Sequence, residues 1–106
     1  MVNMKDREEG FERKFAFDEE LRFKAMARRN KMLGLWAAGQ LGKTGEDAEA
    51  YAREVVIADF EEAGDNDVVR KVLKDFEAAG VAQSEQQIRA VMVDLMHQAI
   101  QSVQNT

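Results

Sequence analysis

The stretch "ARRNKMLGLWAAGQLG", Ala27 to Gly42, sets Arg28, Arg29 and Lys31 within four residues, directly before an apolar run that holds the single tryptophan. Guanidinium forks suit phosphate oxygens, so Arg28, Arg29 and Lys31 are candidate contacts for a weakly bound adenine nucleotide. The competing reading is architectural: a solvated or internally paired collar on a helix anchored in the core by Met32, Leu33 and Trp36. "GQLGKTG" follows, with Gly39, Gly42, Lys43 and Thr44. Its first glycine is too close for a phosphate-binding loop and no strand-like run precedes it, whereas a capping threonine and a lysine leaving a loop explain the same letters.

Other chemistry is sparse. His97 is the only histidine, and its turn-related partners Asp94 and Gln101 supply neither a metal set nor a nucleophilic triad. Tyr51 reads as an amphipathic core residue with its hydroxyl reaching water. Asp59, Glu61, Glu62, Asp65 and Asp67 could meet a cation, but their spacing departs from the 12-residue calcium loop and straddles a helix end. No cysteine is present, which excludes a disulfide scaffold, a cysteine zinc site and a thiol nucleophile. The residues therefore point to a protein that is not an enzyme and needs neither metal nor cofactor.

At 106 residues the chain can bury one core, and 45% apolar with 33% charged residues is the balance of a folding domain. The net charge of −5 is unevenly spread: Met1 to Leu33 carries nine Lys and Arg against seven Asp and Glu, and the rest carries six against thirteen. An acidic body repels a nucleic-acid backbone, so nucleic acid is not an expected partner. No apolar run approaches the roughly 20 residues that span a bilayer, and the start "MVNMKDREEGFERK" lacks the blocks of a secretory signal. The expectation is a cytoplasmic protein without membrane insertion.

Four segments would have to position these residues. The first runs from Asp6 or only Asp18 to Ala38, with Phe17, Leu21, Ala25, Met32, Leu33, Leu35 and Trp36 on one broad face that also takes in Phe11 and Phe15. Asp18 followed by Glu19 and Glu20 can cap a new helix, which puts a break near Phe17. Gly10 lowers helix propensity by about 1 kcal/mol, so residues 1–17 are expected to be flexible, or helical only on a partner. The second segment opens on Thr44 and Asp47 as a capping box, buries Ala48, Tyr51, Ala52, Val55, Val56 and Ala58, broadens toward Phe60 and stops at Gly64. Its alanines permit close approach of another helix. The third takes Asp65 or Asn66 as cap, carries Val68, Val69, Val72, Leu73 and Phe76, and ends at Gly80. The fourth has Ser84 and Gln87 as a capping box before Ile88, Val91, Met92, Leu95, Met96, Ala99, Ile100 and Val103. Short junctions turn successive helices back on one another, giving an all-α, compact four-helix bundle over residues 18–106 behind a mobile segment 1–17.

The strings "FERKFAFDEELRFKAMARRNKMLGLWAA", "GKTGEDAEAY" and "VVIADFEEAGDNDVVRKV" resemble the zeta-subunit family that inhibits the F1Fo ATP synthase of alphaproteobacteria. The likeness spans nearly the whole chain. It implies a four-helix fold whose N-terminal segment inserts into the F1 catalytic head near an alpha/beta interface, with the central stalk as a further contact, and restrains ATP hydrolysis. It also implies a location on the cytoplasmic face of the inner membrane when bound to F1. By the family's order of aromatic and charged residues, the inhibitory segment maps onto Asp6 to Phe17. Phe11, Phe15 and Phe17 are then apolar contacts, and Asp6, Arg7, Arg13 and Lys14 ionic ones. The competing classes are a helical adaptor that binds some other protein through Phe11 and Phe15, and an adenine-nucleotide-sensing module built on the Arg28 cluster.

Overall fold

The computed structural model describes residues 19–60 and 64–104, which form four helices and, among the described residues, no strand. The expectations for residues 1–17, and Glu61 and Glu62 as cation ligands, lie outside the described residues. Helix α1 is Glu19–Gln40, α2 Gly45–Ala58, α3 Asn66–Ala79 and α4 Glu85–Gln104. Among the described residues no helix is long and apolar enough to cross a membrane.

Helix α1 opens with Glu19 and Glu20 in its first turn, where carboxylates favour the positive helix end. It is the central element, packed along α2 on one side and α4 on the other. That double burden selects its contact residues. Ala25, Arg29, Leu33 and Ala37 recur every fourth position, as do Asn30, Gly34 and Ala38, and all seven are buried. The apolar face expected from the sequence is kept at Ala25 and Leu33 and departs at Leu35, which is 37% exposed, while the buried stripe also runs through small residues and through Arg29 and Asn30. Small side chains are needed because a Cβ on Gly34 would stand 2.5 Å from the Ala52 Cα, so α1 and α2 cross at backbone contact. Ala52 thus makes the close approach that the alanines of α2 allow.

The main core joins Leu33, Ala37 and Ala38 of α1 to Tyr51 and Val55 of α2, to Val68, Val69, Val72 and Phe76 of α3, and to Ile88 and Met92 of α4. Trp36 is only partly buried, set edge-on to Phe76 at 5.7 Å and 70°. A smaller cluster of Ala25, Ala99 and Val103, flanked by Leu21, Met32, Met96 and Ile100, holds the first half of α1 on the second half of α4.

The helix ends divide into those decided locally and those decided by tertiary contacts. At α4 the expected box forms: the Ser84 N–H donates to Gln87 Oε1 at 2.7 Å, and the Gln87 N–H donates to Ser84 Oγ at 3.1 Å. At the end of α3, Gly80 has φ +71, and the Val81 N–H reaches back to the Phe76 carbonyl at 2.9 Å. This is the paired closure that a left-handed residue permits. The Thr44 box does not form; Thr44 is the extended N-cap of α2, but its side chain makes no capping bond. Asp65 likewise stands at the N-cap of α3 without capping it, because its carboxylate is held by Arg29. Helix α2 ends at Ala58, short of Gly64, as the Asp59 and Phe60 N–H groups tighten onto the Val56 and Ile57 carbonyls at 3.3 and 3.0 Å.

Candidate functional site

The three cations of the opening stretch sit on one short arc of α1, where each residue turns about 100° from the last, and therefore face different neighbours. Arg28 donates from Nη1 to the Ser102 hydroxyl on α4. Lys31 is exposed beside Glu49, Arg53, Val56 and Ile57 of α2. Arg29 points inward and is 4% exposed, so of the two architectural alternatives it is internally paired and not solvated. Its fork is filled: Nη1 and Nη2 donate to the Asp65 carboxylate at 3.2 and 2.7 Å, and Nε and Nη2 donate to Asn30 Oδ1 at 3.1 and 2.9 Å. The side chains of Arg28, Arg29 and Lys31 are thus not brought together around one point.

Arg29 organises the junction between α2 and α3. Asn30 accepts from Arg29 with its oxygen and its side chain also acts on the Asp59 carboxyl, so the pair bears on both sides of the loop. Asp67 is buried, its Oδ1 accepting the Val68 N–H at 2.8 Å. Asp59 thus lies near Asp65 and Asp67, with the guanidinium of Arg29 bonded to Asp65 and acting on Asp59. Burial pushes the Asp59 carboxyl above the usual carboxylate range, with Asp67 adding to the rise, while Arg29 and the Asn30 hydrogen bond oppose it. Among the described residues no cluster of His, Cys, Asp and Glu is arranged to hold a metal ion.

On the far side of this junction an open groove of about 440 Å³ is lined by Arg29, Asp65, Arg89, Met92, Val93, Met96 and His97. His97 is exposed there, and Arg89 is engaged with Asn66 at 2.9 Å and Glu85 at 3.1 Å. Tyr51 departs from expectation: it is 4% exposed, and its hydroxyl donates to Asp75 Oδ2 at 2.8 Å instead of reaching water. Lys71 lies 5.1 Å from the ring centroid, 3.1 Å from Asp75 and 3.8 Å from Glu54. Burial, followed by the hydrogen bond to Asp75, drives the Tyr51 hydroxyl far above the ordinary tyrosine range. Lys43 of the glycine-rich loop stands 6.0 Å from the same ring.

One surface feature went unassigned in the sequence. Phe23 and Phe60 are 60% and 67% exposed, yet their rings pair with centroids 6.5 Å apart. They roof a shallow groove lined by Met26, Ala27, Asn30, Val56 and Asp59, and Ile57, three residues before Phe60, is 64% exposed. The only advance signal was the broadening of the α2 stripe toward Phe60.

The seven residues expected to contact a partner, Asp6, Arg7, Phe11, Arg13, Lys14, Phe15 and Phe17, lie outside the described residues. Comparison with known sequences does reach them: the family described as ATPase inhibitor subunit zeta matches residues 1–102. Among solved structures, a protein determined by solution NMR is similar, at 50% identity and a TM-score of 0.72 over 80% of this chain and 96% of that one. No curated protein matches the chain.

Proposed function

The chain belongs to the ATPase inhibitor subunit zeta family, and from that premise we propose that it restrains ATP hydrolysis by inserting residues 6–17 into the F1 head of ATP synthase, near an alpha/beta catalytic interface. The observation that carries this reading is the extent of the family match, which starts at residue 1 and so takes in the segment as well as the helices. In this division of labour residues 1–17 make the blocking contact and the bundle that follows positions it. Phe11, Phe15 and Phe17 bury apolar area, while Asp6, Arg7, Arg13 and Lys14 fix register through charge. Ordering a backbone costs about 1 to 2 kcal/mol per residue. A segment this short therefore gains from emerging at Glu19, the first turn of a helix held on both flanks.

The test is ATP hydrolysis by isolated cognate F1, measured with the full chain, with residues 18–106 alone and with Phe11→Ala/Phe15→Ala. Inhibition by the full chain, its severe loss on truncation and its weakening by the double substitution are the expected results, since two interfacial aromatic contacts contribute several kcal/mol. A folded full chain that leaves hydrolysis untouched at saturation would refute the function. Undiminished inhibition by residues 18–106 would remove the segment's role.

A further inference from the structure

We propose that the exposed Phe23–Phe60 pair, extended by Ile57, is a second contact on the same F1 partner: an apolar patch that lands on an apolar strip of the head just outside the site that takes residues 6–17. The proposal rests on the inhibitory reading above and adds a surface to it.

The argument begins with chain length. Glu19 to Phe23 is four residue steps of helix, about 6 Å along the axis. Two residues in any conformation add no more than about 7 Å, so Phe17 lies within about 13 Å of Phe23 at Cα level. Side chains on a helix lean toward its N-terminus, so the Phe23 ring covers surface on the side from which residues 1–18 arrive. A partner that holds Phe17 is therefore within reach of the patch without any change in the bundle. Exposure at this place is also costly in a way that invites explanation. Phe23 and Phe60 come from different segments, pair with one another and leave most of each ring in water, over a groove lined by Met26, Ala27, Asn30, Val56 and Asp59.

The area argues against a second copy of the chain as the occupant. A phenylalanine side chain carries about 200 Å², so at exposures of 60% and 67% the two rings offer about 250 Å², and Ile57 at 64% adds on the order of 100 Å². Two such patches face to face, about 700 Å², stay below the roughly 1,000 Å² that a stable interface needs. As an addition to a segment already anchored, the same area raises affinity without needing to hold a complex alone.

The experiment titrates isolated cognate F1 with the full-length parent, with Phe23→Ser/Phe60→Ser, with Ile57→Glu and with Val93→Ser, the last an exposed apolar residue on α4 as control. The expected result is an increase of about tenfold in the half-inhibitory concentration for Phe23→Ser/Phe60→Ser, a smaller increase for Ile57→Glu and none for Val93→Ser, with parent-like circular dichroism throughout. Ile57→Glu leaves both rings in place and decides the matter should the double variant unfold. Parent-like inhibition by the folded patch variants overturns the second contact while leaving the inhibitory function standing. Failure of the parent to inhibit overturns both. Stronger inhibition by the patch variants would mean that residues 1–17 cover the patch in the free chain, and a parent that sediments as a dimer where the patch variants are monomers would assign it to a second copy; either outcome overturns the proposal. Equal weakening by Val93→Ser would do the same.

Discussion

Arg29 and Asp65, one on the buried face of α1 and the other at the N-cap of α3, are joined by two N–H···O bonds of 3.2 and 2.7 Å across 36 residues of sequence. The guanidinium is 4% exposed and the carboxylate 38%, so the pair is a staple with one end in the core and the other at the surface.

Its removal should be felt unequally from the two sides. Arg29→Ala leaves Asn30 Oδ1 without its two donors and empties a long stem from the helix crossing, while Asp65 can recover water. Breaking a buried pair costs about 3 to 5 kcal/mol, and the exposed carboxylate places this one at the lower end. Asp65→Ala strands the buried cation and should cost at least as much. Arg29→Lys restores charge but not the fork, and is expected to recover only part of the loss. Urea denaturation midpoints at constant m-value would measure all three; parent-like stability in Arg29→Ala would show that the staple contributes nothing.

Gly34→Ala tests the crossing of α1 on α2. Alanine gains about 1 kcal/mol of helix propensity over glycine. Here, however, its Cβ would meet the Ala52 Cα at 2.5 Å and the Ala52 carbonyl oxygen at 3.3 Å, backbone atoms that no rotamer change can move. Overpacking typically costs about 1 to 3 kcal/mol, so net destabilisation is expected, growing sharply for Gly34→Val. Gly39→Ala, whose Cβ meets nothing within 4 Å, is the matched control and should stabilise. A Gly34→Ala chain that melts higher than its parent would contradict the backbone contact.

These two sites also mark where reading the sequence stops. The α4 stripe and its Ser84–Gln87 box are local: the periodicity and the two capping side chains lie within a few residues of one another, and both are found in place. The inward turn of Arg29 depends on Asp65, and the need for glycine at position 34 depends on Ala52, which a helical wheel of α1 alone does not contain. Leu35 shows the same limit in reverse, an apolar residue left 37% exposed because the small residues of α1 take the contact face. Phe11, Phe15 and Phe17 share the helical periodicity of the first segment, but no catalytic signature marks the residues expected to meet F1, and that partner was legible only through family resemblance, whereas Phe23 and Phe60 needed the fold to bring them together.

Asp59 gives a pH dependence of definite sign. Its folded-state pKa is raised, chiefly by burial, so the folded chain holds the proton to higher pH than the unfolded chain does. Between the two pKa values the native state binds more protons, and stability from this group is greatest below the ordinary Asp value and falls as pH rises through the folded value. Asp59→Asn removes that loss. The substituted chain should therefore be the more stable at neutral pH, with the gap to the parent narrowing on acidification. Thermal melts of both chains between about pH 3 and pH 8 would show the convergence; a gap that widened toward acid would reverse the assigned direction.

Tyr51 is the only tyrosine, so ultraviolet difference absorbance of phenolate formation reports it alone. Its hydroxyl is buried, donates to Asp75 and is driven far above the ordinary range, so phenolate should not form while the bundle is intact. The unfolded chain loses this proton near about pH 10. Above that pH the native state again holds the extra proton, and stability declines as pH rises. Phenolate absorbance and loss of helical circular dichroism should consequently appear together in an alkaline titration, as one transition. Tyr51→Phe deletes the linkage: it forgoes one hydrogen bond to a charged acceptor, about 1.5 to 3 kcal/mol, less what Asp75 retains through Lys71 at 3.1 Å. The chain carrying Tyr51→Phe should accordingly be weaker at neutral pH but lose less stability between neutral and strongly alkaline conditions. Phenolate forming well before the helices melt would place the hydroxyl in water, and with it undo the packing of α2 on α3 that this bond describes.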